Sequence, residues 1–97
     1  MTYKLTPLSK VHLKQIWTYT CNIWGEKQAL KYTSSIKGAL TYLVDNPDCG
    51  KSRDEINNSL KSYRVEHHYI YYFIESDQIK IVGILHERME PSRHLKS

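Results

Sequence analysis

The side chains best suited to chemistry gather near the end of the chain, where His86, Arg88, Arg93 and His94 lie close together. Imidazoles transfer protons and guanidinium groups neutralise phosphate, so a nuclease is one interpretation of this cluster. A solvated basic tail, or a surface that pairs with an acidic partner, explains the same residues. We expect no catalytic residue here, because acid–base catalysis needs groups held in place and the residue types alone do not supply that.

Neither the histidines nor the cysteines have the spacing of metal ligands. His67 and His68 are adjacent, so in a strand their side chains point to opposite faces. Cys21 and Cys49 are the only cysteines, and they form no metal-binding pattern or disulfide framework. No glycine-rich phosphate loop is present in the sequence. We therefore expect no metal and no cofactor.

The stretch that must position these residues is a predicted β-hairpin. Residues 69–74 and 79–86 are rich in β-branched and aromatic side chains, and the four residues 75–78 between them are polar. Strict alternation predicts that Leu85 shares a face with Ile79 and Ile81, and that Ile84 shares the other face with Val82. Both faces are apolar, which predicts that both need cover.

Two amphipathic helices precede the hairpin. Thr6 and Pro7 form a helix start, and Gly25 ends that helix. The second helix follows at once and ends at Asn46-Pro47. Apolar residues recur at helical spacing on both, namely Leu13, Ile16, Trp17, Thr20, Ile23 and Trp24 on the first, and Ala29, Tyr32, Ile36, Ala39, Leu40 and Leu43 on the second.

The predicted fold is α+β with the order β-α-α-β-β-β. Residues 2–6 form a first strand, residues 47–62 are a polar loop, and residues 63–65 begin the later strands. A helical hairpin covers one face of a small, mainly antiparallel sheet of three to four strands. We expect the opposite face to be short of cover, and hence to be completed by a partner.

Size and charge limit the function classes. The 97 residues make one domain, 1–97, and carry a net charge of +4. Residues 1–40 hold six Lys and one Glu, a basic excess that attracts nucleic acid or an acidic protein segment equally well. No secretory signal or membrane span is visible, so we expect a cytoplasmic protein with no membrane partner.

Several motifs, in order along the chain, resemble the ParE branch of the RelE/ParE toxin superfamily. They are residues 8–26 with Trp17 and Tyr19, Asn46-Pro47 with Gly50, Tyr63-Arg64-Val65 with His68 and Tyr72, and residues 81–86 followed by Arg88-Met89 and Arg93-His94-Leu95. The resemblance implies a non-enzymatic toxin of a type II toxin–antitoxin module that inhibits DNA gyrase. It also implies a ParD-like antitoxin that wraps around the toxin, while contact with nucleic acid is only indirect.

From this resemblance we expect two sets of binding residues. The antitoxin-groove candidates are Trp17, Tyr32, Tyr72, Val82 and Ile84. The target-binding candidates are Arg64, His86, Arg88, Arg93 and His94. Whether the toxin forms a homodimer or a higher toxin–antitoxin oligomer is left open.

The chain departs from the family pattern at two positions. Gly83 stands where relatives commonly carry Arg, and His12 stands where they commonly carry Asp or Glu. RelE-like relatives cut mRNA on the ribosome with basic residues on the sheet and a C-terminal Tyr or His, and this chain has no Tyr after residue 72. A ribosome-dependent endonuclease, or a degenerate toxin that only binds its antitoxin, are the two alternatives.

Overall fold

A five-stranded sheet carries two long helices on one face, in a computed structural model that describes residues 1–95. The elements are β1 (Thr2–Leu5), α1 (Pro7–Trp24), α2 (Glu26–Asp45), a 3₁₀ turn (Pro47–Cys49), β2 (Lys51–Ser52), β3 (Lys61–Val65), β4 (His68–Ile74), β5 (Gln78–His86) and α3 (Pro91–His94). The strand order is β1-β5-β4-β3-β2. β1 runs parallel to β5, and the remaining pairs are antiparallel. The predicted fold class is confirmed, and the predicted count of three to four strands is too low because β2 has only two residues.

Both helices begin and end where the sequence predicts. The Thr6 hydroxyl accepts a hydrogen bond from the Ser9 N–H at 3.2 Å, and Pro7 occupies the first turn, where no N–H is needed. Gly25 has a φ of 94°, a conformation that is strained for any residue with a side chain. It ends α1 and immediately precedes α2. One glycine therefore reverses the chain between the two helices.

The main core lies between the helices and the sheet. Its fully buried members come from α2, β4 and β5, and they include Ile36, Leu40, Leu43, Ile70, Tyr72, Ile79, Ile81 and Ile84. α1 contributes Ile16, with Leu13 half-buried beside it. Burial of this many large aliphatic side chains is the main favourable contribution to folding.

A β-bulge in β5 changes which residues face this core. Tyr72 pairs with Ile81, but Tyr71 pairs with Gly83, so Val82 is the extra residue. The bulge shifts the alternation by one position, and Ile84 joins Ile79 and Ile81 in the main core. Leu85 lies with Val82 on the opposite face. The predicted face assignment of Ile84 and Leu85 is therefore wrong, because strict alternation cannot continue through an inserted residue.

The opposite sheet face is covered by the chain itself, which corrects the prediction of a bare face. Leu60, Tyr71 and Leu85 are buried there. Ile56 and Leu60, from the segment predicted to be a polar loop, pack against this face together with Leu95. We refer to residues 90–95, which contain α3 and Leu95, as the C-terminal arm. The face is thus completed by the segment before β3 and by the C-terminal arm.

Tyr72 connects β4 to the turn that follows α2. Its side chain is fully buried, and its hydroxyl donates to the Pro47 carbonyl at 2.8 Å and accepts from the Gly50 N–H at 3.1 Å. Burial raises the pKa of Tyr72 to about 12. The hydroxyl therefore fixes the 3₁₀ turn and β2 against the sheet.

We expect Tyr72→Phe to lower the free energy of unfolding by about 1–3 kcal/mol, because a buried N–H and a buried carbonyl lose their common partner. Urea denaturation followed by circular dichroism measures this change. Tyr19→Phe is the matched control, since the Tyr19 side chain is 67% exposed, and we expect a change within about 0.5 kcal/mol. Equal stability of the two variants would contradict the role assigned to the Tyr72 hydroxyl.

Candidate functional site

The helical hairpin and the end of the sheet enclose a groove of about 940 Å³. One wall carries Tyr19, Trp24 and Tyr32 from the helices. The other wall is formed by residues 66–68, residues 84–86 and Met89. We call this feature the hairpin groove.

Large apolar side chains at the tip of the hairpin remain in water. Trp24 is 70% exposed, Tyr19 67% and Ile23 56%. Trp24 and Tyr19 line the hairpin groove, and Ile23 lies between them in the sequence. A contiguous exposed patch of this kind is typical of a surface that another molecule covers.

Imidazoles form the opposite wall of the groove. The His68 and His86 rings are perpendicular with centroids 5.2 Å apart, and His67 stacks on His86 at 6.5 Å. The Tyr32 hydroxyl accepts the His67 backbone N–H at 3.1 Å and lies 2.6 Å from His68 Nδ1. We assign His68 the neutral tautomer with an unprotonated Nδ1, so that the Tyr32 hydroxyl donates to this nitrogen.

The pKa of His68 lies far below that of an ordinary histidine, at about 4. Burial is the largest cause, and the neighbouring His86 and His67 add to it. A half-buried imidazole with this pKa is neutral at physiological pH and is a weak base. Its chemical role in the groove is that of a hydrogen-bond acceptor for Tyr32.

His12 performs a structural task at the edge of β5. β1 pairs with β5 only as far as Ile81, so the next N–H groups on that edge need other partners. His12 Nδ1 accepts the Ile84 N–H at 3.1 Å, and the side chain is only 8% exposed. Burial, together with the charge of His94, lowers the pKa of His12. This position needs an acceptor, which a neutral imidazole provides.

The predicted target-binding residues fall into two groups. Arg64 forms an ion pair with Glu87 at 2.6 Å, and His67 Nδ1 lies 3.1 Å from the other oxygen of the same carboxylate. The Arg88 N–H donates to His86 Nδ1 at 3.2 Å. Arg64, His86 and Arg88 thus lie together at the end of the sheet beside the groove. The other two residues, Arg93 and His94, lie on α3 in the C-terminal arm.

Comparison with known proteins decides the family. The family described as "ParE toxin of type II toxin-antitoxin system, parDE" matches residues 3–91. The chain belongs to the ParE toxin family. It is similar to Toxin ParE1 of Mycobacterium tuberculosis, with 32% identity over 94 residues that cover 96% of both chains. Toxin ParE of Escherichia coli is 30% identical over 89 residues, covering 91% of this chain and 86% of that one.

A solved structure shows the same fold as this ParE-family chain. It is titled "Chromosomal ParDE TA system from P. aeruginosa" and superposes with a TM-score of 0.78 at 20% identity. The match covers 89% of this chain and 95% of the other. The family predicted from the order of the sequence motifs is therefore confirmed.

The predicted antitoxin-groove residues of this ParE-family member do not form one surface. Tyr32 and the buried Ile84 line the hairpin groove. Tyr72 is sealed inside the main core, and Val82 lies on the opposite sheet face. Trp17 is half-buried away from the groove lining. The β5 bulge and the depth of Tyr72 thus place these five residues in different parts of the fold, and their contact with an antitoxin stays a prediction.

Sequence reasoning missed Tyr19, Trp24 and His68 as groove residues. Trp24 and Ile23 were assigned to the apolar face of α1, which is what helical periodicity indicates. Periodicity does not show which part of an apolar face is packed against the sheet, so it could not distinguish the buried residues of that face from the exposed Ile23 and Trp24.

Within residues 1–95, no group of three or more His, Cys, Asp or Glu side chains is arranged to hold a metal ion. In the same range, no helix has the length and apolar character needed to cross a membrane.

We expect the stability of the toxin to fall between pH 7 and pH 5. Unfolded histidine has a pKa of 6.5 and folded His68 has a pKa of about 4, so the unfolded chain binds more protons in this range. The stabilisation that neutral His68 provides is complete above about pH 6.5 and is lost as the pH falls toward 4. Over this interval His68 contributes on the order of 1–2 kcal/mol.

His68→Asn isolates this contribution, because its amide oxygen can still accept from Tyr32 but does not titrate. Urea midpoints at pH 7 and pH 5 should differ less for the variant than for the unaltered protein. The same pH dependence in both proteins would show that His68 is not the titrating group.

Proposed function

We propose that the chain inhibits DNA gyrase in the cytoplasm by binding it, without catalysis, and that a ParD-like antitoxin neutralises it. The observation that carries the proposal is the match to the ParE family across residues 3–91. The E. coli and M. tuberculosis relatives are likewise named as toxins. The solved neighbour is titled a ParDE toxin–antitoxin system, which supports an antitoxin as the partner.

The hairpin groove is the surface that we assign to the antitoxin. Exposed Trp24 and Tyr19 offer the kind of aromatic anchors that dominate protein interfaces. The six Lys of residues 1–40 are not among the side chains that line the groove, so its aromatic wall decides the fit. An amphipathic segment matches this wall, because its apolar side would cover the aromatic side chains and its polar side would stay in water.

Two imidazoles, His12 buried and His68 half-buried, support inhibition by binding over catalysis. His68 accepts from the Tyr32 hydroxyl, and His12 accepts from the Ile84 N–H. In each ring the Nδ1 atom is engaged in this hydrogen bond, and the lowered pKa of each imidazole makes it a poor base.

A second candidate is an mRNA endonuclease of the RelE type. The observation in its favour is that His67 and His86 stack 6.5 Å apart, next to Arg64. Two imidazoles beside a guanidinium could supply an acid, a base and a phosphate contact. Against this, Glu87 neutralises Arg64 and holds His67. A degenerate toxin that only binds its antitoxin is the third candidate.

One experiment separates these candidates. The purified chain, freed of antitoxin, is added to a gyrase supercoiling reaction and to a cell-free translation reaction. Loss of supercoiling with intact translation supports the gyrase inhibitor. Loss of translation with cleaved mRNA and intact supercoiling supports the endonuclease. No effect in either reaction supports a chain that acts only within the antitoxin complex.

We expect Arg88→Ala with Arg93→Ala to weaken gyrase inhibition about tenfold, because exposed arginines contribute strongly to protein contacts. The free energy of unfolding should change little, since both side chains are exposed. The supercoiling assay at increasing toxin concentration measures the first effect, and urea denaturation measures the second. Unchanged inhibition by the folded variant would remove these two residues from the target surface.

We expect Trp24→Ala to weaken antitoxin binding by about 30-fold, the cost of a central aromatic anchor. Isothermal titration with a cognate antitoxin measures it. Leu30→Ala is the matched control, because Leu30 is 62% exposed near the same tip but does not line the groove. Equal losses in both variants, or none in either, would place the antitoxin elsewhere.

A further inference from the structure

Gly83 lies on β5 just beyond the last residue that β1 reaches. β1 ends opposite Ile81, and within residues 1–95 no other strand follows it along that edge. Two neighbours occupy this region. His12 approaches from α1 and binds the Ile84 N–H, while Leu95 approaches from the C-terminal arm.

The absence of a side chain at Gly83 is what admits these neighbours. A Cβ atom added there would clash with Leu95 Cδ2, and it would lie 3.5 Å from His12 Cε1 and Nδ1. The imidazole contact is ordinary, so the steric conflict is with Leu95 alone. Gly38 on α2 is different, since a Cβ there would have no neighbour within 4 Å.

The C-terminal arm depends on this contact for its place on the sheet. Among residues 1–95 its hydrogen bonds are internal: the Glu90 carboxylate accepts from the Ser92 N–H and hydroxyl, the Glu90 carbonyl from the Arg93 N–H, and the Pro91 carbonyl from the Leu95 N–H. These bonds set the conformation of the arm but do not attach it to the sheet. Leu95 is half-buried against the cluster of Leu60, Tyr71 and Leu85. Its side chain, seated over Gly83, is therefore the arm's anchor.

We propose that Gly83 is a positioning residue for the target-binding end of the toxin. By leaving room for Leu95, it holds the arm on the sheet and so places Arg93 and His94. Inhibition then depends on Gly83 even though Gly83 need not touch the target. This inference rests on the proposed function, in which the arm contacts gyrase.

A size-exchange experiment tests the contact. Gly83→Ala adds a methyl group where Leu95 Cδ2 lies, and Leu95→Val shortens the anchor by one carbon. The double variant keeps the total volume of the pair, and volume-conserving exchanges are the ones that cores tolerate best. Gly38→Ala, which adds the same methyl group in open space, is the control.

Three measurements apply to each protein. The first is the rate of tryptic cleavage after Arg93, which reports how often the arm opens when reclosing is fast. The second is the thermal midpoint, which reports the stability of the whole domain. The third is the concentration needed to inhibit gyrase supercoiling by half.

We expect Gly83→Ala to speed cleavage after Arg93 by about tenfold, the effect of overpacking by one methyl group. Leu95→Val should speed it several-fold. The cleavage rate of the double variant should return to within about threefold of that of the unaltered protein, since the effects of substitutions at residues in contact are not additive. Gyrase inhibition should follow the same order, and Gly38→Ala should alter neither cleavage nor inhibition.

Unchanged cleavage in both single variants, or no recovery in the double variant, would overturn the inference. Leu95→Val carries this test even if Gly83→Ala fails to fold, because it only removes atoms. Cleavage that changes and recovers while inhibition stays constant would overturn the link from Gly83 to the target, since the arm would then lie outside the contact with gyrase. An unaltered chain that does not inhibit gyrase would contradict the proposed function. Proteolysis would still test whether Leu95 packs over Gly83.

Discussion

The hydrogen bond from the Ile84 N–H to His12 Nδ1 joins the two layers of the molecule at the point where the sheet is incomplete. β5 is flanked by β4 along its length but by β1 only as far as Ile81. A buried N–H without a partner would cost about 1–3 kcal/mol, so the Ile84 N–H needs an acceptor from an element outside the sheet. His12 does so from the second turn of α1. It thereby ties α1 to β5 at the base of the hairpin groove, which both His12 and Ile84 line.

Local patterns in the sequence were sufficient for the elements themselves. Thr6-Pro7, Gly25 and Asn46-Pro47 mark helix ends because capping and φ restrictions act over one or two residues. The hairpin of β4 and β5 was equally visible. The faces of Ile84 and Leu85 were not, because a bulge is a property of two strands together and leaves no mark on either one alone.

The candidate site was predictable only in part, for a related reason. The order of the motifs gave the family and placed Arg64, His86 and Arg88 near the end of β5. The aromatic wall formed by Tyr19 and Trp24 depends on how α1 packs against the sheet, which is a tertiary property. Tyr72 shows the opposite case. Tyrosine is common at interfaces, but here its hydroxyl has two backbone partners inside the protein. Residue type alone does not show whether an aromatic side chain lines the groove or is buried in the core.

The parallel pairing of β1 with β5 joins Thr2 to Gln78, and so links the first strand of the chain to the last. During synthesis the helical hairpin can form early, since its contacts are local in sequence, but β1 has no partner until β5 has been made. Three buried residues of the main core, Ile79, Ile81 and Ile84, lie on β5 and are likewise absent until then. A ribosome that stops short of β5 therefore releases an unfinished sheet. The order of translation delays assembly of the fold until β5 has been made, and it favours all-or-none appearance of the folded toxin.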